Sequence, residues 1–279
     1  MNSILCSEHD ARATDLRRRL DEFYNTTQNY QSFEGPNDKP EFWDPIRRDI
    51  QAKLAAKRRV RVLEFGAGYT GFRRYLGELA NSVDFDVQDV TARHLDYLKT
   101  QARNVHVGDV REIRQTYDVI FSTFVWEHIT TPAEVLDHLL KLLDAGGTLF
   151  IAAPRYDFPF YLSPSVRHYS LPRRLALSMW LPWQRLSVLL GAKPKFYIHV
   201  DPAVLHVPWF RDADAIHWAS WWDLKKYISS RRGEGFSIRR LRVPVSGAAR
   251  KVWEKYLLLF VRIDRAAAAA PVHAGVTPA

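Results

Sequence analysis

Glu64 lies in an apolar, β-branched run, Val60 to Phe65, and three glycines follow at GxGxxG spacing: Gly66, Gly68 and Gly71. Such a run reads as a buried strand, and the glycines turn it into a helix that begins near Phe72. Glycine suits that turn because a side chain would hold the backbone away from a ligand, and because tight strand-to-helix turns often need positive φ. Together they predict a nucleotide-binding turn. Glu64 sits two residues before the first glycine, where a dinucleotide-binding strand would carry another apolar residue, and there it can meet an ammonium group. Asp89 follows Gly71 by 18 positions, at the carboxyl end of the next strand-like run. That is where such a fold places the carboxylate for ribose hydroxyls, with Asp86 in reserve.

Proton chemistry near neutral pH points to histidine, and His128, His168 and His217 are the candidate bases. For any one of them, a packed and hydrogen-bonded imidazole is the plainer reading. Tyr156, Tyr161, Tyr169 and Trp209 offer flat faces to a ring, and Arg155, Arg167, Arg173 and Arg174 offer guanidinium groups to an anion. Arg167, Tyr169 and Trp209 are the chosen acceptor contacts. No metal is expected, because neither HExxH nor paired cysteines occur and Cys6 stands alone.

Residues 10–24 place Leu16, Leu20 and Phe23 at helical spacing, and a second helix carries Trp43, Ile46, Ile50 and Leu54 on one face and ends in Lys57-Arg58-Arg59. After the glycine turn come a short helix over 72–80, a strand over 83–90, a helix over 92–99, strands over 104–107 and 117–124, a helix over 136–143 and a strand over 148–154. This alternation implies a parallel sheet with right-handed crossovers and a ligand across the carboxyl ends of its strands. Pro154 and seven further prolines between 155 and 213, the last of them Pro208, break the rhythm, which predicts an irregular insertion without long helices. A helix over 221–230 and a strand over 236–243 follow. Residues 257–263 read equally as a final antiparallel strand or the end of a helix begun at Ala249. The alanine-rich 266–279 tail is expected to be disordered.

The stretch Glu64-Phe65-Gly66-Ala67-Gly68, together with Gly108-Asp109-Val110, Val125-Trp126-Glu127-His128-Ile129 and the Gly146-Gly147 turn, resembles the class I S-adenosylmethionine-dependent methyltransferases. That family commonly has GxGxG, and this chain has Tyr69-Thr70, one residue more than that pattern, before its third glycine. The resemblance spans roughly 60–243 and implies a Rossmann-like, seven-stranded, mostly parallel sheet with helices on both faces. It also implies that Glu64, Gly66, Ala67, Gly68, Asp89, Val90, Asp109 and Val110 hold S-adenosylmethionine, with Asp109 accepting from the adenine amino group. N-terminal helices often cover the cofactor in that family, which makes Tyr24 and Tyr30 candidate lid contacts, although packing is the plainer role for both. The implied organisation is a helical cover (1–59), a cofactor-binding core (60–154), an acceptor-side insertion (155–213), a last crossover (214–265) and the tail.

Composition narrows the rest. With 47% hydrophobic residues and no apolar run near the ~18 residues of a membrane span, the chain reads as globular, soluble and cytoplasmic. The net charge of +9 is concentrated in residues 155–265, with 20 Lys and Arg against 8 Asp and Glu and seven of the nine tryptophans. Nucleic acid is not expected as partner, since no recognisable binding module accompanies the charge. Contact with a membrane surface stays open, as does oligomeric state. The expected activity is O-methylation of a small-molecule or glycan-like, anionic acceptor. The alternatives are a nicotinamide-dependent oxidoreductase and an inactive partner protein with the same fold.

Overall fold

Val60 and Val62 point to one side of a strand and Leu63 and Phe65 to the other, and each pair is buried in a different apolar cluster. A strand that is apolar on both faces demands a layer of helices on each side. The computed structural model describes residues 4–26 and 38–267. In chain order it contains β1 (Leu5–Cys6), α1 (Ala11–Thr26), α2 (Pro40–Leu54), β2 (Val60–Phe65), α3 (Phe72–Leu76), β3 (Val83–Asp89), α4 (Leu95–Gln101), β4 (Asn104–Val107) and β5 (Tyr117–Thr123). Then come α5 (Pro132–Leu142), β6 (Leu143–Pro154), α6 (Leu171–Leu189), β7 (Ile198–His199), α7 (Trp221–Ser229), β8 (Phe236–Arg240), α8 (Ala248–Val252) and β9 (Leu258–Arg265).

Seven strands form one sheet in the order β4-β3-β2-β5-β6-β9-β8, parallel except for β9, which runs antiparallel to both neighbours. From β2 the chain winds outward through β3 and β4, and then returns to place β5 on the other side of β2. That reversal opens a crevice at the carboxyl ends of β2 and β5. On one face Phe42, Trp43, Ile46 and Ile50 of α2 pack with α3 and α4 against Val62 and Val87. Leu136, Leu139 and Leu140 of α5 and Leu224 and Ile228 of α7 cover the other face. Each of these fully buried side chains contributes roughly 1.5–3 kcal/mol by leaving water. Pro40 and Pro132 stand in the first turns of α2 and α5, where no N–H is needed.

Several expectations change or are decided. The insertion contains α6, a helix of 19 residues, despite its prolines. Pro172 occupies the first turn, where it costs no hydrogen bond, and Pro182 alone interrupts a run otherwise rich in good helix formers. The Gly146-Gly147 turn is a bulge inside β6, because pairing with β5 jumps from Tyr117↔Leu143 to Val119↔Thr148. Of the two readings for 257–263 the antiparallel strand holds from Leu258 onward, since α8 and one π-helical turn (Trp253–Leu257) end there and run directly into β9. Lys57-Arg58-Arg59 lie beyond the end of α2 at Leu54. Of the tail, only Ala266 and Ala267 are among the described residues.

The N-terminal segment is joined to the insertion. β1 pairs antiparallel with β7, and Leu16 and Leu20 of α1 pack with Ile198, Val204 and Ile216. This attachment lays α1 along the crevice at the carboxyl edge of the sheet.

Candidate active site

The loop after β2 is fixed by its own backbone. Gly66 has φ +70°, and a Cβ there would meet Val125 Cγ1 at 2.5 Å, so both conformation and space require glycine. Its N–H donates to the Gln88 carbonyl at 2.9 Å, and Gly68 N–H donates to Asp89 Oδ2 at 2.8 Å. The third glycine of the motif differs: Gly71 has φ −105° and caps α3. The two residues before it are secured by Tyr97, whose ring stacks on Tyr69 at 3.9 Å between centroids and whose hydroxyl donates to the Thr70 carbonyl at 2.6 Å.

This loop opens on a cavity of about 900 Å³ at the carboxyl ends of β2, β3 and β5. All eight residues expected at the cofactor line it: Glu64, Gly66, Ala67, Gly68, Asp89, Val90, Asp109 and Val110. Glu64 is 3% exposed and its Oε2 has no hydrogen-bond partner. Burial pushes its carboxyl up to about 8, against the Thr70 hydroxyl and the Lys39 charge, which favour ionisation. A buried orphan oxygen at the cavity wall is what an ammonium-bearing ligand would satisfy. Asp89 is oriented by Gly68 N–H and by Thr91 N–H at 3.0 Å, at the end of β3. Asp86 lies outside the lining, bound to Asn104 and Tyr117.

Asp109 is more heavily engaged than the resemblance implies. Arg17 of α1 reaches its Oδ2 at 2.5 Å, and Arg111 donates through its backbone N–H at 2.9 Å and its guanidinium at 2.6 Å. Burial raises its pKa, but these donors outweigh burial and hold the carboxyl well below the usual range. The carboxylate's few lone-pair positions are thereby largely used.

Lys39 was not singled out by any sequence pattern. Its ammonium donates to the Thr123 carbonyl at 3.1 Å and lies 4.8 Å from the Phe124 ring centroid, in the same cavity. Burial lowers its pKa, while Glu127 and Glu64 support its charge. Two of the three non-glycine residues with left-handed φ among the described residues, Phe124 (60°) and Asp212 (61°), also line this cavity. Such backbone costs of order 1 kcal/mol each and clusters at functional sites.

Of the three candidate bases, only His128 is in the cavity. Its Nδ1 lies 3.2 Å from Asp214 Oδ2, and the same carboxylate accepts the Tyr24 hydroxyl at 2.5 Å. Burial pulls the imidazolium down, but Asp214, Glu127 and Asp212 more than compensate and hold its pKa at about 10. Glu127, buried beside it, is pushed up to about 7 by desolvation. His217 is fully buried beneath the site, with Nδ1 2.9 Å from the Trp126 carbonyl, so it packs the Glu127-His128 segment. His168 is also outside the lining, against the Tyr169 and His206 rings.

The acceptor residues divide similarly. Trp209 lines the cavity, joined by Tyr156, Tyr161, Arg211 and Trp253. Tyr169 is buried in a separate network, its hydroxyl bonded to His199 Nε2 and Asp201 Oδ2 at 2.9 Å each. Arg167 is exposed and stacks over Phe210 at 5.2 Å. His168, Asp201 and His206 converge closely enough to hold a cation, but His206 Nε2 bonds directly to Asp201 Oδ1, which closes the cluster on itself. Tyr24 lines the cavity as the resemblance implied, and Tyr30 lies outside the described residues.

A seven-stranded sheet with one reversed strand, a glycine turn after β2 and a buried acid with an orphan oxygen beneath that turn define an α/β fold built to hold a nucleotide cofactor. A family profile described as "Methyltransferase domain" matches residues 17–228, and the chain belongs to that family. It is a methyltransferase of the class I fold, and its cofactor is S-adenosylmethionine. No curated protein matches it by sequence. Among solved structures it is similar to the plantazolicin methyltransferase BpumL in complex with a monoazolic desmethylPZN analog and SAH, at 12% identity and TM-score 0.54, covering 92% of this chain and 98% of that one. The BpumL complex with a triazolic analog and SAH gives 11% identity and TM-score 0.53, covering 92% and 99%. In sequence this chain is far from both, and what it shares with them is the fold. Among the described residues no helix is long and apolar enough to cross a membrane.

Proposed function

We propose that this methyltransferase acts on an oxygen that arrives already ionised, a carboxylate or an acidic hydroxyl on a small ring-bearing acceptor. The observation that carries this is His128 at the cavity wall, its Nδ1 3.2 Å from the buried Asp214 carboxylate. An imidazole held at about 10 by Asp214, Glu127 and Asp212 keeps its proton at neutral pH, so it pairs with an anion and does not take a proton from a neutral alcohol. S-adenosylmethionine supplies a methyl group on a positively charged sulfur, and displacement there asks the protein mainly for alignment and a dry cavity.

The chain's residues then take these parts. The Gly66 to Gly68 backbone and the Glu64 carboxylate hold the amino-acid end of the cofactor, Asp89 the ribose, and Val110 the adenine edge. Asp109 reaches the adenine only where Arg17 yields its oxygen. Tyr156, Tyr161 and Trp209 offer ring faces to the acceptor, and His128 orients its anionic oxygen.

Matched series of ring-bearing acids, phenols and neutral alcohols, incubated with enzyme and cofactor and read by mass spectrometry, test the reading. Acids or acidic phenols should be methylated and neutral alcohols left alone, with His128→Asn lowering kcat/KM by about 100-fold, within the range of a positioned charged group. Turnover of neutral alcohols in preference to acids would overturn it.

A further inference from the structure

Seven large apolar side chains are left exposed along α6 and the residue that ends it: Leu171, Leu175, Met179, Trp183, Leu186, Leu189 and Leu190. Met179 is 67% exposed, Trp183 69% and Leu190 81%. Positions 171, 175, 179, 183, 186 and 190 advance by three or four residues and share one helix face. Leu177, Leu181, Arg185 and Val188 form the opposite, buried face. That face is anchored: Arg185 bonds to the Trp218 carbonyl at 3.0 Å and pairs with buried Asp157 and Asp223. The stripe is therefore held outward by a buried ion network and runs roughly 30 Å at 1.5 Å per residue. Scattered exposed leucines need no explanation, but a continuous stripe of this length does.

The surrounding charge identifies what covers it. No acidic residue occurs between Asp157 and Asp201. Exposed Arg167, Arg173 and Arg174 stand at the N-terminal end of α6, and exposed Lys193 and Lys195 just beyond its C-terminal end. A second copy of the chain seated on the stripe would bring the same cations against themselves. An anionic surface with an apolar interior satisfies both the stripe and its basic ends. α6 does not span a bilayer, since no described helix is apolar enough to do so. We propose that α6 is an interfacial helix that beds the enzyme on an anionic lipid bilayer, its apolar stripe in the acyl boundary and its basic ends on the headgroups.

The test is co-sedimentation of the full chain with phosphatidylcholine vesicles, with and without about a third of phosphatidylglycerol. Binding should be strong only with the anionic lipid and should weaken with salt. Met179→Glu/Trp183→Glu should reduce the bound fraction at least tenfold while leaving melting temperature and S-adenosylmethionine binding unchanged. Brominated acyl chains should quench the emission of the wild-type protein more than that of Trp183→Phe, which checks the same contact without a charge change. The proposal fails if the wild-type chain ignores anionic vesicles, if the double variant binds them equally well, or if sedimentation shows a dimer that the double variant converts to monomer.

Discussion

Glu64 shows how much one residue's surroundings decide. Its carboxyl, pushed up to about 8 by burial, holds a proton at pH 7 until a cation arrives. The shift is upward for an acid, so the stability associated with the protonated form is full below the ordinary value of about 4.5 and fades as pH rises through about 8. If the cofactor's ammonium meets Glu64, binding at pH 7 should release close to one proton, seen as a dependence of calorimetric enthalpy on buffer ionisation heat. Release should vanish above pH 9 and in Glu64→Gln, which should also bind ~1.5–3 kcal/mol more weakly. Proton release that persists in Glu64→Gln would assign it to another group. Glu64 and the glycines were legible in the sequence because one short segment carries both the acid and the turn. Lys39, Asp212 and Asp214 were not, because they reach the cavity from segments whose proximity only the folded chain creates.

At the scale of elements, what was legible follows from local periodicity, and what was missed follows from tertiary pairing. The parallel strands were visible as apolar runs with turns between them, and β4 was expected over the same residues that it occupies. The β1–β7 pairing was invisible, since two residues on each side carry no pattern. α6 is hidden in the sequence because a proline breaks a helix only where it removes a hydrogen bond, and Pro172 in the first turn removes none. The attachment of α1 has a testable consequence for the site. Leu16 is 1% exposed, packs in the cluster that contains Ile198 and Ile216, and is not among the cavity-lining residues. Leu16→Ala should cost ~2–5 kcal/mol of packing. Because Arg17, Leu20 and Tyr24 follow it along the cavity wall, cofactor affinity should fall several-fold and hydrogen exchange in α1 should accelerate. Unchanged exchange in α1 would show that the helix is held in place by other contacts.

Across the whole molecule, two buried neutral histidines serve as internal fasteners, one within the insertion and one between the last crossover and the segment after β5. His199 sits between the Ser165 hydroxyl and the Tyr169 hydroxyl at 2.9 Å each, and His217 bonds to the Trp126 carbonyl beneath the active site. Burial pulls both imidazoles down to about 3. A depressed histidine stays neutral in the folded chain while the unfolded chain takes up its proton below about 6.5. Each therefore loses stability as pH falls from about 6.5 towards 3, at ~1.4 kcal/mol per pH unit. Glu64, Glu127 and Asp223, raised to about 8, 7 and 6, work in the opposite sense, since they favour the folded chain as pH falls towards the ordinary carboxylate range. The two sets offset one another, so the wild-type curve by itself reveals neither. The difference between proteins does. Between pH 6.5 and 5, His217→Gln should lose ~2 kcal/mol less than the wild type in urea unfolding, whatever its absolute stability. Parallel pH dependences for the two proteins would mean that His217 is protonated in the folded state, and that the join beneath the active site is charged.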